Sequence, residues 1–145
     1  MFDSAKYNRV YLDSSPFIYF IEENPRYISV VEDIFFRISY GNITGACSYL
    51  ALLEVLIQPL REGAGDIAAH YKELMLNSGY LEMLPLDDKV AETAAELRAK
   101  YDGLKTPDAI HLATGILSCA QAFVTNDKKL KQVKELDIII LDDII

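Results

Sequence analysis

Two cysteines, no apolar run of membrane-spanning length and a deficit of basic residues set the first limits on this 145-residue chain. Cys47 and Cys119 lie far apart with no neighbouring ligands at metal-binding spacing. That excludes a disulfide framework and a cysteine-based zinc site, and predicts two buried free thiols. A membrane helix needs about 20 consecutive apolar residues, and no stretch comes near it. The first residues also lack the basic-then-apolar order of a secretory signal, so a cytoplasmic protein without a membrane partner is expected. Lys and Arg number 14 against 22 Asp and Glu, a net charge of −8. A general basic surface for nucleic acid is thereby excluded, and any such contact must be local and metal-assisted. The flexible connection Arg61-Glu62-Gly63-Ala64-Gly65 is too ordinary to cradle a phosphate, and there is no internal repeat.

What is present is apolar content, 51% of the residues, enough for one domain over residues 1–145 that buries about 68–70% of its unfolded surface. Short β-prone runs at residues 10–12, 43–46, 81–84, 122–124 and 138–141 alternate with stretches of helical periodicity. Ile28, Val31, Ile34, Phe35 and Ile38 mark one helix that Gly41 stops. A helix from Tyr49 is expected to end at Pro59. Ile67, Tyr71, Leu74 and Met75 mark the next, stopped by Gly79, with His70 on the surface. Val90, Ala94, Leu97 and Tyr101 trace a helix capped by Asp87. Residues 17–21 are apolar throughout, which suits a buried helix and also an exposed ridge for a partner. Strands alternating with helices predict a three-layer α/β/α sandwich on a mainly parallel five-stranded sheet.

Four acids stand out against this frame. Asp13 ends the first strand, where a turn or cap aspartate is the plain alternative. Asp127 follows the fourth strand through Thr125-Asn126. Asp108 heads a nearly all-apolar helix that Thr106 is expected to cap, with Pro107 at its first position. Glu54 is the lone acid of an apolar helix, where burial is costly without a cation or partner. Its side chain leans toward the helix N-terminus and so toward the preceding strand end. All four therefore converge on the carboxyl edge of the sheet, where open α/β folds bind ligands. Clustered carboxylates repel one another unless a cation lies among them, and hard oxygen donors point to Mg²⁺ or Mn²⁺. Such an ion supports phosphodiester hydrolysis without a side-chain nucleophile. Ser14, Ser48 and Thr125 neighbour three of the acids and are candidates to hold carboxylates or metal-bound water; turn chemistry explains them equally. Lys105, Lys128 and Lys129 are candidate phosphate contacts. His111, three residues after Asp108, is expected to satisfy a core hydrogen bond.

Val10-Tyr11-Leu12-Asp13-Ser14-Ser15, Ser48 with Glu54, Thr106-Pro107-Asp108-Ala109-Ile110-His111-Leu112-Ala113-Thr114 and Phe123-Val124-Thr125-Asn126-Asp127 occur in that order, and together they resemble the PIN domain, in particular the VapC-like toxin ribonucleases. The resemblance implies Mg²⁺- or Mn²⁺-dependent endonucleolytic cleavage of RNA, a homodimer and inhibition by a VapB-like antitoxin. It also implies that Asp13, Glu54, Asp108 and Asp127 are the catalytic, metal-holding residues. Ser15 stands where many such proteins carry Asn, and Lys129 where many carry another acid, which counts against a second metal. A haloacid-dehalogenase-type phosphatase would need an acid at position 15, and a receiver domain an acidic pair near the first strand end; neither is present. A non-catalytic acidic α/β binding domain, its acids serving as caps and surface charge, stays open as the alternative from another class.

Overall fold

The β-prone runs become strands because each is short, apolar and bounded by turn residues. The computed structural model describes residues 2–145. Its elements are β1 (Arg9–Leu12), α1 (Ser14–Ile21), α2 (Ile28–Ser39), β2 (Thr44–Ser48), α3 (Tyr49–Arg61), α4 (Gly65–Lys72, continued by a π-helical turn Glu73–Asn77), β3 (Leu81–Leu84), α5 (Asp88–Lys100), α6 (Thr106–Leu117), β4 (Ala122–Thr125) and β5 (Asp137–Ile140). The sheet order is β3-β2-β1-β4-β5, with every neighbouring pair parallel. The sheet is thus wholly rather than mainly parallel. Among the described residues no helix is long and apolar enough to cross a membrane.

The period-2 alternation of β1 divides the interior in two. Val10 and Leu12 pack with Phe17, Ile34, Phe35, Val55 and Tyr71 on the face covered by α1 to α4. Tyr11 points the other way, among Leu97, Leu112, Ala113 and Phe123 beneath α5 and α6. This separation follows from topology. Two crossovers carry the chain outward from β1 to β2 and β3, and the third carries it back past β1 to β4; right-handed crossovers in opposite directions place their helices on opposite faces.

Gly115 lets α6 approach β1 closely, because a Cβ there would lie 3.3 Å from Tyr11 Cβ and Cγ and 3.3 Å from Leu136 Cδ1. Gly115→Val is expected to overpack this contact and lower stability by about 1–3 kcal/mol, measured as a shift in the urea midpoint at unchanged slope. An unshifted midpoint would show that the two layers have slack.

Three local expectations need correction. Pro59 does not end α3, which runs to Arg61 with Pro59 inside it; so close to the end, proline forfeits one helical bond, and the Ala64 N–H still closes onto the Pro59 carbonyl at 2.8 Å. Thr106 does not cap α6. Lys105 occupies the cap position, while Thr106 Oγ1 accepts from the Arg98 guanidinium at 2.8 Å, tying the start of α6 to α5. Cys119 is exposed, unlike buried Cys47; its left-handed backbone, φ 63°, terminates α6 and turns the side chain outward.

Candidate functional site

The chain leaves β1 toward β2 on one side while β4 lies on the other, so the strand order reverses at β1 and β4, and the crevice at their carboxyl ends is the expected ligand position. Asp13 sits in it. Its N–H donates to the Val124 carbonyl at 3.0 Å, fastening the turn after β1 to β4. Asp13 is 8% exposed; Oδ1 accepts the Ser14 N–H at 2.8 Å and Oδ2 the Thr125 hydroxyl at 2.8 Å. The side chain therefore caps α1 and serves the crevice together. Thr125 Oγ1 also accepts the Asp127 N–H at 3.2 Å. Behind this loop, Asn126 donates to the Tyr19 hydroxyl at 3.1 Å and accepts the Asp142 N–H at 2.9 Å, which pins Thr125 and Asp127 from the rear.

Glu54 reaches the crevice from α3, whose start is capped by Ser48 Oγ accepting the Leu50 N–H at 3.0 Å. Glu54 Oε1 lies 2.6 Å from His111 Nε2, which is also 3.5 Å from Asp13 Oδ1. On its other side, His111 Nδ1 is 2.6 Å from the Tyr11 hydroxyl. One ligand atom each from Asp13, Glu54 and His111 fall within 4.8 Å of one another. Two carboxylate oxygens converging at this separation suit a hard divalent cation.

Asp108 projects from the first turn of α6, half-buried, and its carboxyl makes no hydrogen bond among the described residues. Burial first, then the charges of Asp13, Asp127 and Glu54, hold its pKa above the ordinary value, with His111 opposing. Asp108 thus feels the other three acids although it lies outside the tightest group. Burial alone would lower the His111 pKa, but the hydrogen bond to Glu54 and the charges of Asp13, Glu54 and Asp108 outweigh it and raise it. Asp127 commits Oδ1 to the Lys129 N–H at 3.0 Å, capping the 3₁₀ turn Lys128–Gln132.

The four acids are therefore brought to one edge with unequal surroundings. Of the three hydroxyl candidates, Thr125 holds a carboxylate, Ser48 caps α3, and Ser14 offers Asp13 its backbone N–H. Lys105, Lys128 and Lys129 are exposed on the rim, with Lys128 Nζ 3.8 Å from Asp142 Oδ2. His111 does make the expected core hydrogen bond, to Tyr11, but it also contacts Glu54. The sequence places Tyr11 on the first strand but gives it no role at the site; its position between two apolar residues does not distinguish a polar role from packing.

The sequence of residues 10–136 matches the family model described as "PIN domain". No curated protein matches the chain. Among solved structures, the fold is similar to a chain of VapBC2 from Rickettsia felis, crystallised with a fragment of promoter DNA, at TM-score 0.72 and 19% identity over 91% of this chain and 98% of that one. It is similar to a chain of DNA-bound VapBC from Salmonella typhimurium at TM-score 0.71 and 20% identity, covering 92% and 98%. It is also similar to a chain of FitAcB from Neisseria gonorrhoeae at TM-score 0.65 and 20% identity, covering 91% and 97%.

Proposed function

The chain belongs to the PIN domain family, and on that premise we propose that it is a metal-dependent endoribonuclease, the toxin of a toxin–antitoxin pair, working as one cytoplasmic domain. The observation that carries the reading is the convergence of Asp13, Glu54, Asp108 and Asp127 on one sheet edge, with atoms of Asp13 and Glu54 within 4.8 Å of each other. These carboxylates would hold Mg²⁺ or Mn²⁺. When bound, that ion lowers the pKa of a water, orients the phosphodiester and neutralises charge on the leaving oxygen.

The chain's own residues supply the rest. Ser14 N–H and the Thr125 hydroxyl fix both oxygens of Asp13, each of which keeps a lone pair for a cation. Asn126 anchors the loop that presents Asp127. Lys105, Lys128 and Lys129 contact substrate phosphates from the rim, a local basic group on an acidic protein. Among the described residues no serine, cysteine or histidine is arranged as a nucleophile with its own base, which is consistent with water as the attacking group.

Incubating the protein with a structured RNA in millimolar Mg²⁺ or Mn²⁺ is expected to give discrete cleavage products, and EDTA to stop it. Cleavage that survives EDTA would sink the metal mechanism. An inactive protein that still binds a partner would favour the non-catalytic binding domain.

Two surfaces support the partner assignments. Tyr49, Leu53, Ile57 and Leu60 are exposed along α3 at spacings of four, four and three, one continuous stripe beside Glu54; we assign it to the homodimer. Leu53→Glu is expected to convert dimer to monomer in sedimentation, and an unchanged mass would place the interface elsewhere. A groove lined by Phe20, Ile21, Leu74 and Tyr80 between α1 and the end of α4 fits the apolar face of an amphipathic antitoxin helix. Phe20→Asp is expected to prevent co-purification with the antitoxin; a folded variant that still forms the complex would exclude the groove.

A further inference from the structure

The contact between His111 and Glu54 belongs to a longer chain of bonds that starts in the core. Tyr11 is fully buried, and its ring stacks on Phe123 with centroids 5.1 Å apart. Gly115, one turn beyond His111, leaves room for α6 to rest on the Tyr11 side chain. The Tyr11 hydroxyl meets His111 Nδ1 at 2.6 Å, and His111 Nε2 meets Glu54 Oε1 at 2.6 Å. Both ring nitrogens of a 1%-exposed histidine are thus committed.

An ionised Glu54 can only accept, so Nε2 carries the hydrogen in that contact. In the neutral ring, Nδ1 is then an acceptor, and the Tyr11 hydroxyl must be its donor. Nothing else restrains Glu54 in this way. Its side chain is 31% exposed, it makes no second hydrogen bond among the described residues, and the like charges of Asp13 and Asp108 drive it toward water. The His111 N–H is what keeps its carboxylate turned inward.

From this geometry we infer that Tyr11 and His111 are positioning residues, Tyr11 holding His111 in the Nε2–H form and His111 aiming Glu54 at Asp13 without itself ligating the ion. The inference rests on the proposed metal-dependent reading. It assigns His111 a role that the three-residue cluster leaves open, since the same Nε2 could turn to a metal if it lost its hydrogen. A relay from a buried tyrosine through histidine to a carboxylate orients that ligand as outer partners do at other metal sites, where their loss weakens affinity about 10–100-fold.

The test is calorimetric titration of the full-length protein with Mn²⁺, and with Mg²⁺, at one fixed pH. Tyr11→Phe removes a single oxygen and keeps the stacked ring, so it reports on the relay even if histidine variants fold poorly; it is expected to weaken Mn²⁺ binding about 10-fold. His111→Ala is expected to weaken it about 10–100-fold. His111→Gln, whose amide can donate to Glu54, is expected to recover most of that loss. In ¹⁵N spectra of the wild type, the His111 Nε2 hydrogen is expected to persist on saturation with Mg²⁺. Equal weakening by His111→Gln and His111→Ala, or loss of that hydrogen on metal loading, would make His111 a ligand and overturn the inference. Wild-type affinity in Tyr11→Phe would remove Tyr11 from the relay and overturn it also. If the wild type itself takes up neither ion, the metal-dependent reading falls with it, whereas a metal-binding wild type with indifferent variants rejects the relay alone.

Discussion

Asp13→Asn is expected to reduce metal-dependent RNA cleavage by on the order of 10²–10³-fold, as loss of a central charge-stabilising group does elsewhere, and to lower the melting temperature of the metal-free protein. The second effect comes from geometry. The two oxygens of Asp13 accept from different donors, Ser14 N–H and the Thr125 hydroxyl, and an asparagine has one oxygen. Either the Ser14 N–H faces an amide NH₂, or Thr125 reverses its hydroxyl while still accepting the Asp127 N–H. A buried donor left without a partner costs about 1–3 kcal/mol, or roughly 2–4 °C per kcal/mol in a domain of this size. Relief of repulsion with the other acids offsets only part of it, because bonds to an ionised acceptor are the stronger kind. RNA cleavage and thermal unfolding in EDTA test both halves. A fully active Asp13→Asn would remove Asp13 from the catalytic set, and an unchanged apo midpoint would show that the crevice re-forms around the amide.

Asp108→Asn is expected to shift the apo midpoint in the opposite direction. Its carboxyl has no hydrogen-bond partner to lose, and its pKa is raised by burial and by Asp13, Asp127 and Glu54. Removing one like charge there is worth about 1 kcal/mol at neutral pH, after allowance for solvent screening. The pH dependence carries the same sign. A carboxyl with a folded pKa above its ordinary 3.8 opposes folding once pH climbs through that folded value, because the unfolded chain gives up its proton first. His111, raised above 6.5, contributes stability that is complete below that value and is lost as pH rises through its folded pKa. Glu135, Asp137 and Asp142 have lowered values; their contribution is in place above the ordinary carboxylate range and constant beyond it.

As pH rises past 6.5, the ordinary histidine value, the wild-type melting temperature in EDTA should therefore fall. Magnesium requires deprotonated ligands and binds the folded state, adding about 2.7 kcal/mol at a hundredfold excess over Kd, so in millimolar Mg²⁺ the slope should flatten or reverse. Asp108→Asn should melt higher than wild type in EDTA at pH 8 and gain less from Mg²⁺. A lower apo midpoint with an equal magnesium shift would make Asp108 a helix-start charge and nothing more.

Much of this was legible in the residues. Strand-end positions for Asp13 and Asp127, the helix start at Asp108 and the inward lean of Glu54 follow from local periodicity and from where parallel strands end. Where the residues misled or said too little, a contact between elements or the closing of a helix end decided. Thr106 has the right chemistry for a cap, but Arg98 engages its hydroxyl from α5. Pro59 signals a stop, but the helix lies against the core and closes its last turn without the missing N–H. His111 could be placed on α6, yet the partner on its far side is Tyr11, a hundred residues away.

By itself the sequence determined the alternation of strands and helices, the parallel sheet and the edge on which the acids gather, because period and turn chemistry act over a few residues and a parallel sheet puts all strand ends together. Tertiary structure alone decided the inequality among those acids. Asp13 is held by both oxygens, Glu54 is steered by a histidine from the opposite layer, Asp108 is unpaired and electrostatically strained, and Asp127 is partly spent on a cap. Such differences depend on burial and on hydrogen-bond partners that only the packing of α3 and α6 across the top of the sheet brings within reach.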